Sequence, residues 1–389
     1  MKTILAILVT LIFLITNISG KDKDPMDSDA KKEGPIFLFI GTYTDPGKSQ
    51  GIYIYQMDRV TGELRKVGVS DKTVNPSYLV IHPNHKWLYA VNELGENNGK
   101  FLGGVSAFRI DLDKKKLEFI NSVSSRGSYP CHISVDHTGK FVMTANYGNG
   151  TVAVFPIRKD GSLAEASFVD QHQGKGPNEK RQQGPHAHMI MQGFDHRFVY
   201  SNDLGIDKIL VYKIDTVRGK LVSCGEVPTM PGAGPRHLVF HPDRKWAYTV
   251  NELNGTIEAF TVDKGTGLLN RFQVISTLEK GETREPGSAA IHITPNGKFL
   301  YATNRGEINN IAMFSINQEK GELQLLGHQP VKGKTPRNFV IDPSGAFVLI
   351  ANQNSDNVVA FQIDEQTGLL KDTGIEISVP NPVCLKFLE

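Results

Sequence analysis

Gly234-Pro235-Arg236-His237-Leu238-Val239-Phe240-His241-Pro242, followed by Trp246-Ala247-Tyr248-Thr249-Val250-Asn251-Glu252, reads as two short strands joined by a turn. Leu238 and Phe240 alternate along the first strand, Asp243-Arg244-Lys245 supplies the turn, and Trp246 to Val250 is aromatic and β-branched. Antiparallel pairing brings the start of the first strand beside the end of the second. Arg236 and His237 are therefore expected near Asn251 and Glu252, at one end of a hairpin.

The pattern recurs. Tyr129-Pro130-Cys131-His132 leads to Ala145-Asn146-Tyr147, Gly184-Pro185-His186-Ala187-His188 to Ser201-Asn202-Asp203, and Thr335-Pro336-Arg337-Asn338 to Ala351-Asn352-Gln353. Asparagines 92, 146, 202, 251, 304 and 352 end the second strands and lie 54, 56, 49, 53 and 48 residues apart. A period near ~50 with several short strands per unit signals a β-propeller. An alternating third strand follows each hairpin, then a turn (Thr61-Gly62, Asp160-Gly161, Thr266-Gly267, Thr367-Gly368) and a fourth strand.

The two ends complete each other. Phe37 to Thr42 is a second strand without a first, and Asn381 to Phe387 is a first strand without a second. Pairing them gives an all-β, seven-bladed propeller of four-stranded antiparallel blades, its ring closed by N- and C-terminal strands and its edges removed. A two-sheet sandwich of many short strands is the alternative, and the repeat argues against it.

Composition narrows the partners. The formal charge of +2, with 22% charged residues, gives no footprint for nucleic acid. Lys2, the apolar run Ile4 to Ile15 and the small Ser19-Gly20 form an export-signal pattern over 1–20; 21–34 is a charged, disordered leader, and the propeller occupies 35–389. The expectation is an exported protein, periplasmic or extracellular, monomeric, and without a stable membrane span once the signal is removed. Cys131, Cys224 and Cys384 are odd in number. Cys131 and Cys384 sit in inner strands of separate blades, so no disulfide is expected between them.

If first strands line the channel, one rim collects the irregular polar residues, while His82-Pro83, His241-Pro242, Thr294-Pro295 and Asp342-Pro343 mark structural turns at the other. The recurrent asparagines suit a shared structural task. The arginines and histidines do not recur in every blade, and that asymmetry suits a binding site. The basic, glycine-rich connection Gln171 to His188 is a candidate lid and anion binder. His186 and His188 could present two metal ligands, but no partner set at recognised spacing completes a site, and no metal or cofactor is expected. P-loop and dinucleotide motifs are absent.

Gly176-Pro177-Asn178, Arg181-Gln182, Gly184-Pro185-His186-Ala187-His188 and Asp203-Leu204-Gly205-Ile206-Asp207 carry a resemblance, with Pro130-Cys131-His132 and Pro235-Arg236-His237…Asn251-Glu252. The chain resembles the seven-bladed propeller lactonases, whose namesake activity is 6-phosphogluconolactonase and whose relatives include fungal carboxymuconate cyclases. The resemblance runs from about Phe37 to Phe387 and implies hydrolysis of a sugar lactone ester, 6-phosphoglucono-1,5-lactone to 6-phosphogluconate. That reaction needs a base for water, charge for the developing oxyanion and a proton for the leaving alkoxide. On this reading Glu252 or His188 is the base, Arg236 lies near the oxyanion, and His132 and His186 orient or protonate. Arg181 and Arg337 are available for a phosphate, with His237, Asn146, Tyr147, Glu93, Asn304 and Arg305 also lining the substrate. A lactone cycloisomerase and a non-catalytic binding propeller are the competing readings.

Overall fold

The computed structural model describes residues 34–44 and 47–388. The expected signal segment 1–20 and nearly all of the leader lie outside the described residues. Pro35–Glu389 form one compact unit.

Seven four-stranded antiparallel sheets make up this unit, with a two-stranded hairpin of Glu96–Asn97 and Lys100–Phe101, and the only helical element described is a 3-10 turn at Gln353–Ser355. Blade one takes three strands from the front of the chain (Ile36–Thr42, Tyr53–Met57, Leu64–Val69) and its innermost strand, Pro382–Phe387, from the back. Leu38 pairs with Phe387 and Ile40 with Leu385, the closure expected from the sequence. Blades two to seven follow chain order outward, beginning at Leu79, Pro130, Ala187, Pro235, Ser288 and Pro336. Each inner strand packs against those of the next and previous blades, and Pro382–Phe387 closes the circle between blades seven and two.

The core lies between blades. Met189, Phe198, Tyr200, Leu238, Ala247 and Phe260 are buried together between blades four and five. One contact repeats around the ring. The aromatic residue opening a second strand lies over the glycine in the outer turn of the following blade: Trp87 on Gly161, Phe141 on Gly219, Phe198 on Gly267, Trp246 on Gly321, Phe299 on Gly368, and Phe347 on Gly62 across the closure. At Gly267 φ is +78°, and a Cβ would meet the Phe198 ring at less than 3.0 Å, so only glycine fits. Tyr200 Oη donates to the Gly267 carbonyl at 2.9 Å, and Tyr89, Tyr248 and Tyr301 do the same for Gly161, Gly321 and Gly368. Glycine at these turns is thus demanded by the neighbouring blade as well as by turn geometry.

Register places the site. Pro130 pairs with Asn146, Ala187 with Asp203, Pro235 with Asn251 and Pro336 with Asn352, so first-strand starts and second-strand ends share one rim. Immediately inside each pairing the register slips by one residue, at Cys131, His188, Arg236 and Arg337. A bulge leaves its residue outside the ladder and re-aims the side chain. Here it re-aims four chemistry-bearing groups at the same mouth.

Candidate active site

Glu252 follows the buried end of the strand Trp246–Asn251, and its side chain is 7% exposed. Its Oε1 accepts from Arg181 Nη2 at 2.7 Å; Oε2 accepts from Arg236 Nε at 3.0 Å and pairs with Arg305 Nη2 at 2.7 Å. Three guanidinium groups surround one carboxylate, leaving a surplus of two positive charges. Burial pushes the Glu252 carboxyl up, but Arg305, Arg236, His188 and Arg181 outweigh it and hold the group well below the ordinary carboxylate range. Burial, then the charges of Arg305 and Arg337, bring Arg236 down to about 9, so it stays cationic at neutral pH. Arg236 also donates from Nη1 to the Ala289 carbonyl at 2.6 Å, which fixes its plane.

Arg181 reaches this cluster from the long connection before blade four. Gln182 is buried and donates through Nε2 to Leu204 O at 2.8 Å and Asp207 Oδ1 at 2.7 Å, pinning the loop over the rim. Arg181 Nη2 also donates to Tyr147 Oη at 3.1 Å. The Tyr147 ring stacks on His186, centroids 4.5 Å apart and planes 16° from parallel. His186 Nδ1 lies 2.7 Å from the Tyr147 carbonyl oxygen. A carbonyl only accepts, so Nδ1 donates, and in the neutral tautomer the lone pair lies on Nε2. His186 is partly exposed at the mouth.

Below it, His132, His188 and His237 line the channel, with ring centroids 5.4 Å apart for His188–His237 and 5.6 Å for His132–His237. Burial holds all three well below the ordinary imidazole value, and Arg236 lowers each further, so they stand neutral at pH 7. Cys131 Sγ lies 3.7 Å from His188 Nδ1, but burial pushes the thiol up and leaves it unionised. All three cysteines are free. Among the described residues no group of three His, Cys, Asp or Glu side chains is placed to hold a metal ion.

A second, looser cluster faces the Glu252 group. Arg337 Nη2 is 3.7 Å from Glu93 Oε1, Ser77 Oγ donates to Glu93 Oε2, and the Arg337 guanidinium lies 5.5 Å from the Tyr43 ring centre. Tyr43, Asn75, Glu93, Tyr129 and Arg337 help to line a cavity of about 430 Å³ there.

Of the residues expected from the sequence, Glu252, Arg181, Arg236, Arg305, Tyr147, His186, His188, His132 and His237 come together, with Glu93 and Arg337 lining the 430 Å³ cavity. Asn146 and Asn304 do not join them. Both are fully buried; Asn146 donates to Ser125 O and Thr151 Oγ1, Asn304 to Thr277 O and Asn310 Oδ1. Their amides tie a second strand to its neighbours, which accounts for the recurrence of asparagine. Sequence reasoning also missed Tyr43, Ser77 and Lys386, whose ammonium lies 5.1 Å from the Tyr78 ring centre. They come from a blade split between the chain ends or from a position preceding the rim pattern.

Fold and mouth together define a propeller enzyme rather than a flat docking ring, because the titratable groups converge on one opening. Residues 37–387 match the family described as lactonase, seven-bladed β-propeller, and the chain belongs to that family. It is 39% identical over 350 residues to a Bacillus subtilis protein named 6-phosphogluconolactonase, covering 90% of this chain and 97% of the relative. A Formosa agariphila protein of the same name is 35% identical over 356 residues, covering 90% and 99%. The structure of a periplasmic gluconolactonase from Pseudomonas aeruginosa superposes with a TM-score of 0.86 at 35% identity, over 92% of this chain and 99% of that one.

Proposed function

We propose that the chain hydrolyses the ester of a sugar 1,5-lactone, 6-phosphoglucono-1,5-lactone above all, at the channel mouth. One observation carries the reading: His186, an imidazole with a fixed tautomer, stacks on Tyr147, whose hydroxyl accepts from Arg181, one of three guanidinium groups that hold a surplus of positive charge around Glu252. His186 Nε2 takes a proton from water as its oxygen attacks C1. The oxyanion forming on the carbonyl oxygen is stabilised by the guanidinium surplus. The C1–ring-oxygen bond then breaks and the His186 proton passes to the leaving alkoxide, giving the hydroxy acid, which ionises to a carboxylate. Glu252 takes the place of a frame for the arginines instead of the base, because three cations lower its affinity for a proton. The neutral His132, His188 and His237 form the channel floor.

The positive surplus favours an anionic substrate, since guanidinium pairs phosphate through two oxygens at once. The relatives named 6-phosphogluconolactonase support the same substrate. A second reading, an unphosphorylated gluconolactone, is favoured by the export-like residues 1–20 and by the periplasmic neighbour. On either reading the enzyme acts as a monomer on a small molecule, outside the cytoplasm. A proton-release assay on protein from about Lys21 onward, corrected for spontaneous hydrolysis, compares the two lactones. Preference for the phosphorylated one supports the first reading and preference for the plain one the second. No acceleration of either would overturn both.

A further inference from the structure

Behind His186 lies a buried chain of polar groups that the reaction does not use directly. Asp203, at the end of the strand Phe198–Asp203, is fully buried. Its Oδ1 accepts the backbone N–H of His186 at 2.7 Å and that of Gly205 at 2.9 Å. Its Oδ2 lies 2.7 Å from Nδ1 of His172, itself 2% exposed, just beyond the outer strand of blade three. On the far side of that ring, His172 Nε2 is 3.1 Å from Tyr212 Oη, which donates to Asp170 Oδ2 at 2.8 Å. One carboxylate therefore joins the exit of blade three, the entry of blade four and its own turn.

We propose that Asp203, anchored by His172, is a positioning residue for His186. This rests on the reading of His186 as the base. The His186 ring is oriented by its Nδ1–H bond to Tyr147 O and by stacking on Tyr147, but the backbone that carries the ring is held by Asp203. A buried carboxylate held at both oxygens cannot turn without breaking a bond. Asp203 thus sets where Nε2 points, and a misplacement of about 1 Å at a reacting group costs on the order of 100-fold in rate.

The test compares Asp203→Ala, Asp203→Asn, His172→Phe and His186→Gln in the purified enzyme, measuring kcat and KM with thermal melting as the control for folding. Asp203→Ala is expected to lower kcat on the order of 10–100-fold with KM little changed. Asp203→Asn keeps an oxygen for the His186 N–H, and its amide can donate to the other tautomer of His172, so it is expected to restore most of kcat. A folded Asp203→Ala enzyme with unchanged kcat, or an asparagine variant as slow as the alanine one, overturns the proposal. If the alanine variant fails to fold, His172→Phe removes the anchor and leaves the carboxylate; a fall in kcat at constant KM supports positioning, and an unchanged kcat overturns it. An inactive His186→Gln enzyme beside a fully active Asp203→Ala enzyme would sink only the positioning role. An active His186→Gln enzyme would sink the base reading and this inference with it.

Discussion

His186 is tied to Tyr147 twice, by its Nδ1 proton on the Tyr147 carbonyl at 2.7 Å and by ring stacking at 4.5 Å. The tautomer and the plane of the imidazole are therefore fixed before any substrate arrives. Replacing His186 by glutamine keeps a group able to donate to that carbonyl but removes the basic nitrogen. kcat is expected to fall on the order of 10²–10⁴-fold. The melting temperature should stay close to that of the parent, and a steady-state assay beside a melting curve checks both.

Glu252→Gln leaves Arg181, Arg236 and Arg305 without their common counter-charge. Removing one partner of a buried ion pair costs about 3–5 kcal/mol, and urea unfolding at neutral pH is expected to show a loss of that order. The carboxyl is held below its unfolded value, so its stabilising contribution is complete above about pH 4.3 and is lost as pH falls toward the folded value. The variant should be less stable at neutral pH and less sensitive to acid below that point.

The channel histidines give a separate signature at milder acidity. His132, His188 and His237 resist protonation in the folded chain, whereas the unfolded chain takes up protons near 6.5. Stability is therefore full above about pH 6.5 and falls below it, by up to about 1.4 kcal/mol per pH unit for each histidine. Unfolding free energies at several pH values between those of the two transitions should fall steadily, and His237→Gln should make the slope shallower.

Gly267→Ala places a methyl group within the Phe198 ring and on backbone at φ +78°. Overpacking and left-handed strain together are expected to cost about 2–5 kcal/mol. Adding Phe198→Leu should recover part of the loss. A double variant no more stable than Gly267→Ala alone would show that ring contact is not the reason for glycine.

The ring was legible because its asparagines, paired strand starts and unmatched ends all point to the same seven-fold arrangement. The mouth was legible to the extent that Arg236, Glu252 and Arg305 sit at strand ends. What the sequence hides is the one-residue bulge at His188, Arg236 and Arg337, since alternation along a strand reads the same with or without it. Asn146 and Asn304 look like rim residues by position, but their amides turn into the blade. Glu252 reads as a base by residue type, and the three arginine partners that hold its carboxyl below the ordinary range come together only in the fold. His172 and Asp203 lie far apart in the chain, in a long connection and at a strand end, with no local pattern joining them.

The closing strand Pro382–Phe387 is made after every other blade, yet it contributes the wall of the channel that carries Lys386. A nascent chain thus holds six finished blades and one with an open inner edge, and its channel lacks a side until that strand docks on Ile36–Thr42. Until that strand docks, the inner edge of Ile36–Thr42 is an unpaired ladder of the kind that invites pairing with another chain.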